Sequence, residues 1–212
     1  GRITGMGHRG KDKVKYVSFK NVTSFLYEEE KHVTVPGIGP VTFDIGYGGA
    51  YYAYCNAQSL GLNLDHSDYG KLIDYGRRIK RAVMNHFDIK HPFEKDLSFL
   101  YGTIFIGDAK ETSHHSRNVC VFADGEVDRS ATGSGVSGRA AIHYARGEIN
   151  KGETITIESI LGTCMDVKVT EILKYGPYNA VVPEVSGQAW ITGENMFYFD
   201  PSDPLKKGFI LR

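Results

Sequence analysis

Asp128-Arg-Ser-Ala-Thr132-Gly-Ser-Gly-Val-Ser-Gly138-Arg-Ala-Ala-Ile-His-Tyr-Ala-Arg-Gly147 sets a charged turn, a hydroxyl residue and a run of glycines directly against a helix start. Amides at a helix N-terminus have no intrahelical partner, and the helix dipole favours negative charge there. Glycines let the backbone approach a ligand closely. The stretch therefore reads as a pocket for a small carboxylate or phosphate, with Thr132 at its edge. Gly133-x-Gly135-x-x-Gly138 also fits a dinucleotide fingerprint. That fingerprint should follow a strand immediately, whereas here the polar turn 124–128 intervenes.

Upstream, 13–22 alternate apolar and polar as a half-buried strand does. His32–Val35 and Val41–Ile45 flank Pro36-Gly-Ile-Gly-Pro40 and read as a hairpin. Tyr51-Tyr52-Ala-Tyr54-Cys55 reads as a further strand, its tyrosines packed in the core or lining a pocket. From Ser67 to Phe87, Leu72, Ile73, Ile79, Val83, Met84 and Phe87 recur at helical steps, with Ser67 as the cap and Arg77, Arg78, Lys80 and Arg81 on the solvated face. Strands follow at 99–106 and 119–122, then a helix from about Val136 to Ala145 ended by Gly147. Downstream strands are expected at 154–159, 165–172, 180–185, 188–192 and 195–199. The order of strands, long helix, strands, short helix, strands is that of an α+β domain: a mixed, mostly antiparallel sheet curled around a central helix.

Composition excludes several function classes. Lys plus Arg equal Asp plus Glu at 25 each, so nothing marks a nucleic-acid partner. No apolar run reaches membrane-spanning length and no signal peptide is visible, so no membrane partner is expected. Three widely spaced cysteines, Cys55, Cys120 and Cys164, form no CxxC pair. They suggest neither zinc nor a disulfide framework, and a cytoplasmic setting is the default. His114-His115 lacks the spacing that would complete a metal site.

Asp128-Arg-Ser-Ala-Thr132-Gly-Ser-Gly resembles the second active-site motif of the proline racemase family, which also holds hydroxyproline epimerases and trans-3-hydroxy-L-proline dehydratases. Phe19-x-Asn21-Val22-x-Ser24-Phe25, Val35-Pro-Gly-x-Gly39, Asp44-Ile-x-Tyr-Gly-Gly49, Phe99-Leu-Tyr-Gly-Thr103, Asn118-x-x-Val-Phe-Ala123, Glu184-Val-Ser-Gly-Gln-Ala189 with Thr192-Gly193, and Asp203-Pro-Leu-x-x-Gly208-Phe209 are similar to further family blocks, in order along nearly the whole chain.

The resemblance implies two half-domains of the diaminopimelate epimerase-like fold with the active site between them. It divides this chain into 1–24, the end of a truncated first half-domain; 25–190, a complete second half-domain; and 191–212, a tail returning toward the first. Racemases and epimerases of the family carry a cysteine in each motif, whereas the dehydratase branch has threonine in the second, as at Thr132. Ala131 departs from the usual proline. The first motif, a cysteine followed by Gly-His-Gly, is absent from these residues, and the chain is expected to be the later part of an enzyme that lacks its general base when isolated. By this resemblance Thr132 is catalytic, Gly133 and Ser134 bind the substrate carboxylate and Asp128 its ring ammonium, although Asp128 could equally cap its own turn.

No cofactor or metal is implied, and the complete protein is expected to be a homodimer. The expected activity is dehydration of trans-3-hydroxy-L-proline. The alternatives are a proline racemase or 4-hydroxyproline 2-epimerase, and a non-catalytic amino-acid-binding domain.

Overall fold

The computed structural model describes residues 3–11 and 14–208. Lys13 and Phe209, which the sequence assigns to a strand and a motif, lie outside the described residues. Eleven strands and two α-helices follow in chain order: β1 (Thr4–Arg9), β2 (Val14–Lys20), β3 (Ser24–Val35), β4 (Gly39–Tyr47), β5 (Tyr51–Asn56), α1 (Tyr69–His86), β6 (Leu100–Gly107), β7 (Ser116–Phe122), β8 (Glu126–Val127), α2 (Gly133–Ala145), β9 (Thr154–Glu158), β10 (Cys164–Tyr175) and β11 (Tyr178–Gly187).

All belong to one sheet in the order β1-β2-β11-β10-β9-β7-β6-β5-β4-β3, with β8 beside β7. β11 also pairs with β3, through Ala180–Phe25 and Val181–Ser24, which closes β3 to β11 into a barrel. Pairing is antiparallel except at β5–β6 and β7–β9. Parallel neighbours need a long crossover, and the two crossovers contain α1 and α2. The architecture is α+β, as the order of elements implies.

α2 is enclosed. Gly135 through Ile142 are buried without interruption, and the helix packs against β3, β4, β10 and β11. A helix buried all round needs small residues wherever the sheet comes close, and Gly138, Ala140 and Ala141 supply them. α1 instead buries one stripe, Leu72, Gly76, Ile79, Ala82 and Val83. Gly76 allows α1 to lie directly on Val121 of β7.

Three local expectations change. α1 begins two residues later than expected. Asp65, not Ser67, makes the side-chain cap there, by accepting from the Ser67 amide at 2.8 Å in the preceding 3-10 turn. Met84 lies off the apolar stripe and is half exposed, while Ala82 is buried in the stripe. The strands expected at 188–192 and 195–199 do not form. These residues meet no sheet edge among the described residues, and their large side chains, such as Ile191 and Phe197, are exposed. A strand needs a ladder partner, which an apolar run does not itself supply. Among the described residues no helix is long and apolar enough to cross a membrane.

A buried ion pair fixes the β7–β9 junction. Arg117 and Glu158 stand opposite each other, and their side chains are 4% and 3% exposed. Burial pushes the Glu158 carboxyl up. The amides of Lys110 and Glu111, with His114 and Arg117, outweigh that and hold it down at about 2. A carboxyl whose pKa is lowered on folding contributes stability above its unfolded value of about 4.3 and loses it as pH falls toward the folded value.

Two predictions follow from this packing. Thermal unfolding midpoints should drop between about pH 4.5 and pH 2, and Glu158→Gln should start lower and show a shallower acid slope. A Cβ built on Gly48 would stand 2.1 Å from the Ser134 carbonyl and 2.6 Å from the Gly138 amide. Both atoms belong to a helix held on all sides. Gly48→Ala should therefore destabilise by about 1–3 kcal/mol in chemical denaturation.

Candidate active site

The glycine run is not a loop ahead of α2 but its first turn. The helix starts at Gly133, three residues earlier than the sequence suggests, and Thr132 is its N-cap. The Val136 amide makes the first intrahelical bond, to the Thr132 carbonyl at 2.8 Å. Among the described residues the amides of Gly133, Ser134 and Gly135 meet no protein acceptor.

An N-cap threonine ordinarily turns its hydroxyl onto these amides. Thr132 does not. It has φ +66° and ψ 105°, a conformation rare for a β-branched residue. Its hydroxyl points the other way and donates to Asp128 Oδ2 at 2.9 Å. Asp128 Oδ1 accepts from the Ser130 amide at 2.8 Å, and Ser130 Oγ accepts from the Thr132 amide at 3.0 Å. Asp128 thus caps its own turn, one of its two earlier readings, and in addition fixes Thr132. Each carboxylate oxygen still has a lone pair for a further donor.

The first turn of α2 is clamped from three sides. Tyr52 Oη lies 2.8 Å from Ser134 Oγ, and Tyr54 Oη donates to the Gly135 carbonyl at 2.9 Å. Asn21 Nδ2 donates to Ser137 Oγ at 2.7 Å and to the Gly48 carbonyl at 2.9 Å, while Ser137 Oγ donates back to the Gly133 carbonyl at 2.8 Å. Beneath the turn, Asn118 Nδ2 reaches the Ala131 carbonyl, and Asn118 Oδ1 accepts from the buried Arg139 guanidinium at 2.8 Å. Tyr52 and Tyr54 share a face because strand side chains alternate. That period was the signal that could have singled them out. Asn21, Ser137, Asn118 and Arg139 carry no such local signal.

Asp128, Thr132, Gly133 and Ser134, the four residues that the sequence singles out, therefore form one surface, with Gly133 and Ser134 partly exposed. Beside it, the turn 128–130 lines a cleft of about 1280 Å³ that also touches Cys164 and Asp166 on β10 and His8 on β1. His114 and His115 turn away from each other, one to Glu158 and the other to Ser116 and the His143 ring. Among the described residues no cluster of three His, Cys, Asp or Glu could hold a metal ion. The wall offers free amides, a carboxylate and a fixed hydroxyl, but no thiolate. Cys120 is buried, and burial pushes its thiol up to about 12.

Residues 1–210 match the proline racemase family. A trans-3-hydroxy-L-proline dehydratase from Colwellia psychrerythraea is 52% identical over the whole chain and 60% of its own length. A proline racemase from Clostridioides difficile is 40% identical over 94% of the chain and 60% of its own length. The crystal structure of a hydroxyproline epimerase from Agrobacterium vitis, with bound trans-4-hydroxy-L-proline, superposes with a TM-score of 0.88 at 25% identity. It covers 99% of this chain and 60% of the epimerase. The chain thus spans about 60% of the length of these relatives.

The cysteines allow a direct check of the wall. Iodoacetamide at pH 8 should label Cys164, which is partly exposed, and leave Cys55 and Cys120 unmodified until the protein unfolds. Peptide mass mapping before and after denaturant reads this out, and rapid labelling of Cys120 in the folded protein would place a reactive thiol behind Thr132 after all.

Proposed function

This chain belongs to the proline racemase family, and from that membership we propose that it forms the threonine-bearing wall of a trans-3-hydroxy-L-proline dehydratase. The observation that carries the reading is Thr132. It stands at the tip where the family's racemases and epimerases hold a cysteine, and its one hydroxyl proton is committed to Asp128.

The chemistry follows from that commitment. The substrate carboxylate binds the free amides of Gly133, Ser134 and Gly135, and its ring ammonium donates to Asp128. A thiolate base on a facing wall takes the α-proton; Cys55 and Cys120 are fully buried and Cys164 lines the neighbouring cleft from β10, so the reading draws the base from outside these residues. As the α-proton leaves, charge moves into the carboxylate, where the helix N-terminus stabilises it. A racemase would then deliver a proton to the far face. Threonine is far too weak an acid to do so, so the electron pair instead forms the C2–C3 double bond and breaks the C3–O bond; the departing hydroxyl takes the abstracted proton back from the thiol, which lies on the same ring face, and leaves as water. The product is a pyrroline-2-carboxylate, and no cofactor takes part.

The same reading divides the chain. Residues 25–190 are a diaminopimelate epimerase-like half-domain, and 1–24 and 191–212 belong to the other half. The barrel seam in support of this lies at Ser24 and Phe25, beyond which β1 and β2 extend off β11. The exposed apolar side chains of 190–199 suit a segment that is covered in the complete protein. A homodimer and a cytoplasmic setting complete the proposal.

The test uses the complete protein carrying this chain. Wild type should release pyrroline-2-carboxylate from trans-3-hydroxy-L-proline and leave the α-centre of trans-4-hydroxy-L-proline unscrambled in deuterium oxide. Thr132→Cys should gain α-epimerisation, because a thiol of pKa about 8.5 can act as the missing acid, a role worth about 10²- to 10⁴-fold. If wild type itself exchanges and inverts the α-centre of 4-hydroxyproline, the protein is an epimerase and the dehydratase reading fails.

A further inference from the structure

Tyr52 is fully enclosed at 1% exposure, yet its hydroxyl reaches the first turn of α2 and touches Ser134 Oγ at 2.8 Å. A buried phenol must place its proton, since an unmet buried donor is costly. Burial and the nearby Cys120 and Asp128 all push its pKa up, so it keeps that proton. Ser134 Oγ is the one side-chain acceptor at hydrogen-bond distance from it among the described residues. Ser134 has a single proton and two lone pairs. If its oxygen accepts from Tyr52, its own proton is left without a partner among the described residues, in the same first turn as the unmet amides of Gly133 to Gly135.

We propose that Tyr52 is a positioning residue for carboxylate recognition: it donates to Ser134 Oγ and thereby makes the Ser134 hydroxyl a dedicated donor, a fourth beside the three amides. The inference rests on the reading that this helix N-terminus binds the substrate carboxylate, and it deepens that reading. Four converging donors with no acceptor among them recognise a full carboxylate and discriminate against its amide or ester. Tyr52 acts only through Ser134 and does not touch the substrate. Tyr54 has no such role, because its hydroxyl goes to the Gly135 carbonyl and therefore only holds the helix.

The experiment follows the backbone amide resonances of Gly133, Ser134 and Gly135 in the nitrogen-labelled complete protein during titration with L-proline and with L-prolinamide. L-Proline should shift all three, and L-prolinamide should bind more weakly. Tyr52→Phe, which keeps the packed ring, should weaken L-proline about fivefold and narrow its advantage over L-prolinamide. In a Ser134→Ala background the same change should have no further effect, whereas Ser134→Thr should keep the hydroxyl and the sensitivity to Tyr52. An unchanged L-proline affinity in Tyr52→Phe overturns the proposal, and so does an equal loss in the Ser134→Ala background, which would mark Tyr52 as packing alone. If L-proline shifts none of the three amides in the wild type, the carboxylate site itself is wrong and this inference falls with it.

Discussion

The uncapped N-terminus of α2, at the end of a helix whose middle the barrel encloses, is the constraint on which the rest of the site depends. Three amides there have no protein partner among the described residues. Such an end is tolerable when an anion completes it. The obvious internal remedy, a threonine cap, is at hand and is withheld. Asp128 draws the Thr132 hydroxyl away, and the strained backbone of Thr132 keeps it there. The strain thus has a structural outcome: it leaves the first-turn amides of α2 uncapped.

Holding that helix end in one place requires more than the helix. Tyr54 and Asn21 grip its carbonyl side from the strands around it, and Gly48 lets the β4–β5 turn touch the helix backbone. Arg139, buried in the second turn, is neutralised by no carboxylate within hydrogen-bond reach among the described residues. It spends its donors on Asn118, Ser116 and His143, and Asn118 relays that order to the Ala131 carbonyl just before Thr132. Burial pulls the Arg139 guanidinium down to about 10, which still leaves it charged at neutral pH. A fixed cation thus lies behind the loop, on the same side as the positive end of the helix dipole.

Much of this was legible in the sequence, and the exceptions have physical causes. The glycine run and the turn before it pointed to the uncapped end of α2 because helix-end chemistry is local. The alternation in β5 and the stripe in α1 identified elements because burial is periodic. What local pattern does not encode is which distant atom satisfies a polar group. Nothing around Asn21 foretells Ser137, and nothing around Arg139 foretells Asn118. The start of α2 was read three residues late because glycines are poor helix formers; enclosure by the sheet overrides that preference. Residues 188–199 look like strands but form none, since their apolar character answers to a surface rather than to a neighbouring strand in the described residues.

The seam between β3 and β11 governs how the molecule can be made. It consists of two residue pairs joining distant parts of the chain, and α2 lies inside the ring that it closes. A finished barrel admits no helix, so α2 must already be docked when the seam forms. Loop closure over such a span is an entropic cost incurred before any contact rewards it, which makes the seam a late and slow event in folding. On the ribosome, β3 and β4 emerge early and must wait with an unpaired edge until β11 has been synthesised, the interval in which strand edges are most prone to stray pairing. The bulges of β3 around Glu28 and Lys31, with Glu30 in a left-handed conformation, break the regularity of that waiting strand. They make it a poor template for another chain during its exposure.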